Sequence, residues 1–316
     1  MAMDRPRGRP SASLEAAIVA RRYYLDNRQK SEIAEELGLS RFKVARLLDE
    51  ARESGIVRIH VDVPTDIDLD LGDRVAHRFG IARVLAARSL PDGGADDAVV
   101  GAAAAQYLES VLGSQDVLGI SWGRALTSTV EAFSARTMTD VVQVVGGVNA
   151  GGSAIGGVEL ARRMAAATGG AAYPLNAPLL VGSAEIARAL RGDASLAAAI
   201  DRFPALTFAV LGVGSWDPPH SAVATELDER ERAQIVAAGA VADVCGILLD
   251  GQGDFVDSPL TGRTVGVSLD DLRRIPEVVA VAGGIEKTRA IAAVLRSGFV
   301  STLVTDVQTA RLLLES

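Results

Sequence analysis

Cysteine, lysine, histidine and the aromatic residues are all scarce in this chain of 316 residues. The single cysteine, Cys245, excludes an internal disulfide and a cysteine-rich metal site, and it fits a reducing compartment as a small buried hydrophobe. The three histidines, His60, His77 and His220, lack ligand spacing, so no metal is expected, and no cofactor either. No run approaches the ~20 apolar residues that a membrane span needs. The N-terminus is charged where a signal peptide would be apolar, so a cytoplasmic protein without membrane contact is expected. With aromatics at 4% but apolar residues at 48%, Ala, Gly and Val dominate, which favours an α/β architecture. The length allows one small domain and one large one.

Only three lysines are present, Lys30, Lys43 and Lys287. The formal charge of −8 is unevenly divided: residues 1–63 carry 12 Lys and Arg against 10 Asp and Glu, net +2, which leaves −10 for the remainder. A near-neutral head on an acidic body directs only the head toward nucleic acid.

Residues Lys30 to Glu53 carry the strongest local pattern. Ile33, Ala34 and Leu37 recur at the spacing of one apolar helix stripe, with Glu32, Glu35 and Glu36 pointing away. Gly38 suits the left-handed backbone that ends a helix, Leu39 packs inward, and Ser40 is a good N-cap for the next helix. In that second helix Val44, Leu47, Leu48 and Ala51 form the buried stripe, leaving Arg41, Phe42, Lys43 and Arg46 exposed around its first half. Helix, three-residue turn, helix with a basic exposed N-terminal half is the pattern of a DNA-reading helix-turn-helix, and those residues are what a recognition helix presents to the major groove. The alternative is a two-helix hairpin with a solvated basic face. Lys30, Ser31 and Arg58 are candidate backbone contacts, and Ser40 is a further candidate DNA-binding residue.

Upstream, Ser13 to Asn27 contains Leu14, Ala17, Ile18, Ala20, Tyr24 and Leu25, predicting a helix that covers the other two. Downstream, Gly55 to Val63 alternates apolar and polar, predicting a strand pair or β-wing that carries Arg58. Ahead of the first helix, Pro6-Arg-Gly-Arg-Pro10 resembles an AT-hook: glycine lets the backbone lie in a narrow minor groove while Arg7 and Arg9 reach along it. The same composition also suits a solvated tail.

Pro64 to Asp70 has the composition of a linker, followed by a short connecting helix from Leu71 to Phe79. Beyond Leu85 strand-like runs alternate with helical ones, as in a parallel sheet covered on both faces. Strands are expected at 116–120, 141–145, 171–175, 207–211, 245–249, 278–282 and 301–304. The expected domains are a basic arm at 1–11, a winged helix-turn-helix at 12–63, a linker with connecting helix at 64–84 and an α/β ligand domain at 85–316.

Two glycine turns stand between strand and helix. Gly119-Ile-Ser121-Trp122-Gly123-Arg124 would aim free amides, the Ser121 hydroxyl and a bidentate guanidinium at the carboxyl edge of the sheet. A turn that uses glycine only for packing is the alternative. Val281-Ala-Gly-Gly-Ile-Glu-Lys287 puts a lysine in a first helical turn, where the dipole disfavours a cation and an anionic ligand would explain it. A solvent-exposed lysine competes with that account. Gly146, Gly147 and Asp250 are expected at the same edge.

Together these segments resemble one family, the SorC/DeoR-type sugar-responsive bacterial transcriptional regulators. The resemblance rests on SEIAEELGLSRFKVARLLDEARESGIVRIHV, LGISWGRALTSTV, YPLNAPLLV, ADVCGILLDGQG and the long C-terminal run that starts at Val278. It implies an α/β chain: a winged helix-turn-helix followed by an effector domain like the fold of ribose-5-phosphate isomerase and glucosamine-6-phosphate deaminase, without turnover. It also implies a sugar or sugar-phosphate effector, a double-stranded DNA operator and assembly into dimers or tetramers. Carried over, Gly119, Ser121, Trp122 and Gly123 match the first ligand turn, Gly146 and Gly147 the second, Asp250 the acid after the following strand, and Lys287 the lysine of the glycine-glycine turn. Where the family commonly has threonine in WGRTL, this chain has Ala125. Either Arg124, Thr127 or Ser128 substitutes for the lost hydroxyl, or the effector lacks a phosphate.

The leading expectation is a regulator that binds a two-fold operator under metabolite control. The rival is a sugar-phosphate isomerase or deaminase with a DNA-binding head, for which Asp243 and Asp250 are the nearest candidate bases. An architectural DNA-binding protein would leave the acidic body without a purpose. Deleting residues 1–11 is expected to weaken DNA binding and flatten its salt dependence, and an unchanged affinity and salt slope in a titration would exclude a role for the arm.

Overall fold

The computed structural model describes residues 12–58, 67–88, 96–148 and 156–316. Arg7 and Arg9 and most of the anticipated wing lie outside them. The chain divides into two compact units, residues 1–64 and 65–316.

In the smaller unit, α1 (Ala12–Tyr24), α2 (Lys30–Leu37) and α3 (Arg41–Glu53) enclose their own apolar core. The turn between α2 and α3 follows its local chemistry. Gly38 adopts φ 64°, the Leu39 N–H donates to the Ala34 carbonyl at 2.8 Å, and the Ser40 hydroxyl accepts from the Lys43 N–H at 3.1 Å. Val44, Leu47, Leu48 and Ala51 are buried, as their spacing requires.

The stripe expected on α1 is buried only in part: Ala20 lies in the core, but the large side chains named with it do not. Leu14, Ile18, Tyr24 and Leu25 are exposed, whereas Ala16, Val19 and Ala20 are buried and Tyr23 packs beside them. Small side chains let α1 approach α3 closely, so the larger aliphatics face outward.

The larger unit contains α4 (Leu69–Phe79), β1 (Arg83–Ala87), α5 (Asp96–Val111), β2 (Val117–Ile120), α6 (Arg124–Ala132), β3 (Asp140–Gln143), α7 (Gly157–Thr168), β4 (Ala172–Tyr173), α8 (Ala184–Arg191) and α9 (Ala197–Ile200). It continues with β5 (Phe208–Gly212), β6 (Gly214–Ser215), α10 (Glu229–Ala237), β7 (Ala242–Val244), β8 (Ile247–Leu249), α11 (Leu269–Arg274), β9 (Glu277–Val281), α12 (Thr288–Arg296), β10 (Thr302–Asp306) and α13 (Val307–Leu313).

Seven strands form one sheet in the order β1-β10-β9-β5-β2-β3-β4, every pair parallel. Alternate residues serve opposite faces: Val278 and Ala280 join the core on one side, Val279 and Val281 the core on the other. From β2 the chain runs outward through β3 and β4, then returns to place β5 on the other side of β2. The order therefore reverses between β2 and β5, where a parallel sheet opens a crevice at its carboxyl edge.

Three expectations are corrected. The run 245–249 is no strand of the main sheet. Instead β7 and β8 form an antiparallel hairpin with β6, turning through Cys245 at φ 54° and Gly246 at φ 77°. The helix expected as a connector forms as α4 but packs on β1, so closely that a Cβ on Gly72 would meet the Val84 carbonyl oxygen at 2.2 Å. The third is α5, unmarked in the sequence because Ala-rich stretches carry little amphipathic contrast.

The α5 helix lies directly against α6. An added Cβ on Gly101 would stand 2.5 Å from Ser128 Cβ and 2.8 Å from the Ser128 backbone. Alanine is the better helix former by ~1 kcal/mol, yet Gly101→Ala is expected to destabilise the protein by about 1–3 kcal/mol through overpacking. Urea denaturation checks this, and a midpoint at or above that of the wild type would refute it.

Candidate functional site

On the smaller unit, the first half of α3 offers Arg41, Phe42 and Arg46. All three are exposed, Phe42 to 89%. Arg46 leans on Glu50 at 3.3 Å, an exposed pair that is readily given up. Lys43 departs from expectation. It is half-buried, with its Nζ on Glu15 at 2.8 Å, and so fastens α3 to α1. The reason is geometric: the buried stripe of α3 turns Lys43 toward α1 rather than outward. Lys30 lies over the Tyr23 ring at 5.6 Å, while Ser31, Ser40 and Arg58 are exposed. Arg22 ties α1 to Glu36 of α2 at 2.8 Å, so ion pairs join the first helix to both others.

On the larger unit, a cavity of about 410 Å³ opens at the reversal point of the sheet. The turn after β2 supplies Ser121, Trp122, Gly123 and Arg124, and the turn after β9 supplies Lys287. Ser121 is buried, and its Oγ accepts from the Gly212 N–H at 3.1 Å, clamping the ends of β2 and β5 together. Gly123 has φ 145°, open to glycine but not to other residues. No side chain caps α6, which leaves its first N–H groups and the positive end of its dipole toward the cavity.

Lys287 is half-buried rather than solvated, and its Nζ donates to the Val213 carbonyl at 3.1 Å. Burial pulls its ammonium below the usual lysine range. Opposite in sign is Asp243, fully enclosed, whose Oδ1 accepts from Trp216 Nε1 at 2.9 Å and from Ser221 Oγ at 2.5 Å. Burial pushes its carboxyl above the usual range, against the pull of those two donors and of Lys287. Arg124 Nε pairs with Asp97 Oδ2 at 3.1 Å.

Four expected residues do not line the cavity. Gly119 lies within β2, where a Cβ would meet Val144 at 2.6 Å, so its smallness serves packing. Gly146 has a supporting place: its carbonyl accepts from Trp122 Nε1 at 2.8 Å, and a Cβ there would meet the Pro178 carbonyl. Gly147 exchanges backbone bonds with Ala177 and Leu179. Asp250 caps its own turn, accepting from the Gln252 and Asp254 N–H groups, because the hairpin carries the end of β8 away from the crevice. The acid that this hairpin brings to the cavity is Asp243, one strand earlier.

Sequence reasoning missed Asp97, His220, Ser221, Thr225 and Cys245, all of which line the cavity. Asp97 stands on the unrecognised α5, and the others on an excursion after β5 and the hairpin turn. Burial raises the Cys245 thiol, which makes it a poor nucleophile. Thr127 and Ser128 do not line the cavity: Thr127 Oγ1 donates to the Gly123 carbonyl, and Ser128 faces Gly101. Of the substitutes for the missing hydroxyl at Ala125, only Arg124 remains. Among the described residues no cluster of metal-ligating side chains is present, and no helix is long and apolar enough to cross a membrane.

Residues 64–315 match the family described as "Putative sugar-binding domain". Over 308 residues the chain is 34% identical to the transcriptional regulator LsrR of Enterobacter sp. (strain 638), covering 94% of this chain and 92% of that one. The chain belongs to the SorC-type family of sugar-binding transcriptional regulators. LsrR of Klebsiella pneumoniae is 33% identical over 94% of the chain and 92% of that protein. The full-length sorbitol operon regulator SorC of Klebsiella pneumoniae superposes with a TM-score of 0.73 at 26% identity, covering 97% of this chain and 100% of its own. A SorC-type regulator binds DNA and responds to a sugar, and it is not an enzyme. The isomerase alternative falls with that assignment.

Proposed function

We propose that α3 reads an operator through Arg41, Phe42 and Arg46, and that the cavity at the reversal point of the sheet holds the effector that controls this binding. The observation that carries the proposal is the half-buried Lys287, which shares one cavity with the uncapped N-terminus of α6. A lowered ammonium with one carbonyl partner and a row of free N–H groups together favour an anionic group, and Arg124 adds a bidentate donor. Asp243 suits a sugar hydroxyl. The effector is accordingly a phosphorylated sugar, its phosphate on α6, Arg124 and Lys287 and its hydroxyls toward Asp243.

On the DNA side, the regulator acts in the cytoplasm as a dimer or tetramer on a two-fold operator. The effector alters the placement of subunits and hence the half-site spacing that paired α3 helices can span. Lys43, held by Glu15, steadies the head and contributes less to base reading than Arg41.

Two outcomes test this. Arg41→Ala is expected to weaken binding to an operator selected from random duplexes by about 1–3 kcal/mol, the range for a lost bidentate base contact, and Lys43→Ala by clearly less. Equal losses in fluorescence anisotropy would reassign the reading face. In a thermal-shift screen of sugars, polyols and their phosphates, a phosphorylated sugar is expected to raise the melting temperature of the wild type, and Lys287→Ala to remove that rise. Stabilisation that survives the substitution would place the anion elsewhere.

A further inference from the structure

Asp97 is a charged residue of the cavity that stands on neither glycine turn nor the hairpin of β7 and β8. It stands in the first turn of α5, with Gly101 four residues on and so on the same helix face. Arg124 and Ser128 stand in the same relation on α6. Because Gly101 lies against Ser128, the crossing of the two helices also sets Asp97 against Arg124 one turn earlier. Helix packing therefore imposes this ion pair, unlike a chance meeting of two long surface side chains.

The carboxylate serves a second cation as well. Of all the charges acting on Lys287, Asp97 is the one that most offsets the effect of its burial. One acidic group thus acts on both Arg124 and Lys287. With Asp243 it balances the two cations among the cavity's lining residues.

We propose that Asp97 is a resident counter-anion, which holds the anion subsite while the cavity is empty and is displaced from Arg124 by the phosphate monoester of the effector. The proposal rests on reading this cavity as the effector site. The Arg124 side chain is 71% exposed, and an exposed ion pair is weak. A phosphate gains more, since it takes paired bonds from the guanidinium and further ones from the helix amides. A neutral sugar has nothing to exchange for the carboxylate. Asp97 thereby sets a threshold that favours charged ligands, and it sets the concentration at which they act. Ala125 sharpens the dependence: without a hydroxyl at that position, and with Thr127 and Ser128 turned away, the phosphate relies on Arg124.

The test compares the full chain with Asp97→Asn, Arg124→Gln and the double variant, using inorganic phosphate as the probe in thermal-shift titrations at constant ionic strength. Each protein's phosphate-free midpoint is its own reference. Asp97→Asn is expected to tighten the apparent Kd for phosphate by about three- to fivefold, the ratio for releasing an exposed ion pair. In the Arg124→Gln background the gain should fall by at least half, and the shift produced by ribitol, a neutral polyol, should not depend on Asp97. An affinity unchanged or weakened in Asp97→Asn would overturn the displacement. So would a gain that persists undiminished without Arg124, which would make Asp97 a distant charge. If phosphate stabilised none of the four proteins, the anion site itself would fall. Binding by the wild type that Asp97→Asn leaves unaltered would remove the displacement alone.

Discussion

Seven strands that all run in one direction deliver their carboxyl ends, and the turns that follow, to a single edge. In a sheet ordered β1-β10-β9-β5-β2-β3-β4 those turns diverge on either side of the β2 and β5 pair, and the divergence leaves room for the cavity. Lys287 is far in the chain from Ser121 and the amides that open α6, and they meet only because of this rule. The supporting contacts follow from it: the Ser121 hydroxyl joins the ends of β2 and β5, and Gly146, after β3, takes the indole N–H of Trp122.

Burial then gives these groups their chemistry. An ammonium and a carboxylate exposed to water would be ordinary solvated charges. Enclosed at one cavity, Lys287 is drawn toward its neutral form and Asp243 toward its protonated one, while each is partly restored by the other. Such a lining suits a ligand that brings its own charge and hydroxyls, since an apolar ligand would cover both groups without adding a partner to either. The same enclosure raises the Cys245 thiol, beside the same acid.

How far the structure was legible depended on how local each cause is. The helix-turn-helix was readable because Gly38, Ser40 and the stripe of Val44, Leu47, Leu48 and Ala51 act within a turn or two of the chain. The face of α1 was not, because alanines chosen for close helix contact look no more buried in sequence than the leucines beside them. Asp250 and Asp243 are separated by one short hairpin, and nothing local says which of them returns to the crevice. Asp97 was invisible for a related reason. Its partner is fixed by the crossing at Gly101, a packing event between helices that share no sequence signal.

By itself the sequence determined the alternation of strand and helix, the helix-turn-helix with its basic exposed half and the two glycine turns, because capping, left-handed backbone and apolar spacing are properties of neighbouring residues. Its resemblance to the SorC-type regulators named the class. Only the tertiary structure decided which side chains share the cavity, that Lys43 belongs to the head's own framework, and that Asp97 faces Arg124. Those outcomes depend on strand order, on the hairpin of β7 and β8, and on how closely two helices can cross, and such long-range choices leave no trace in the spacing of residues along one element.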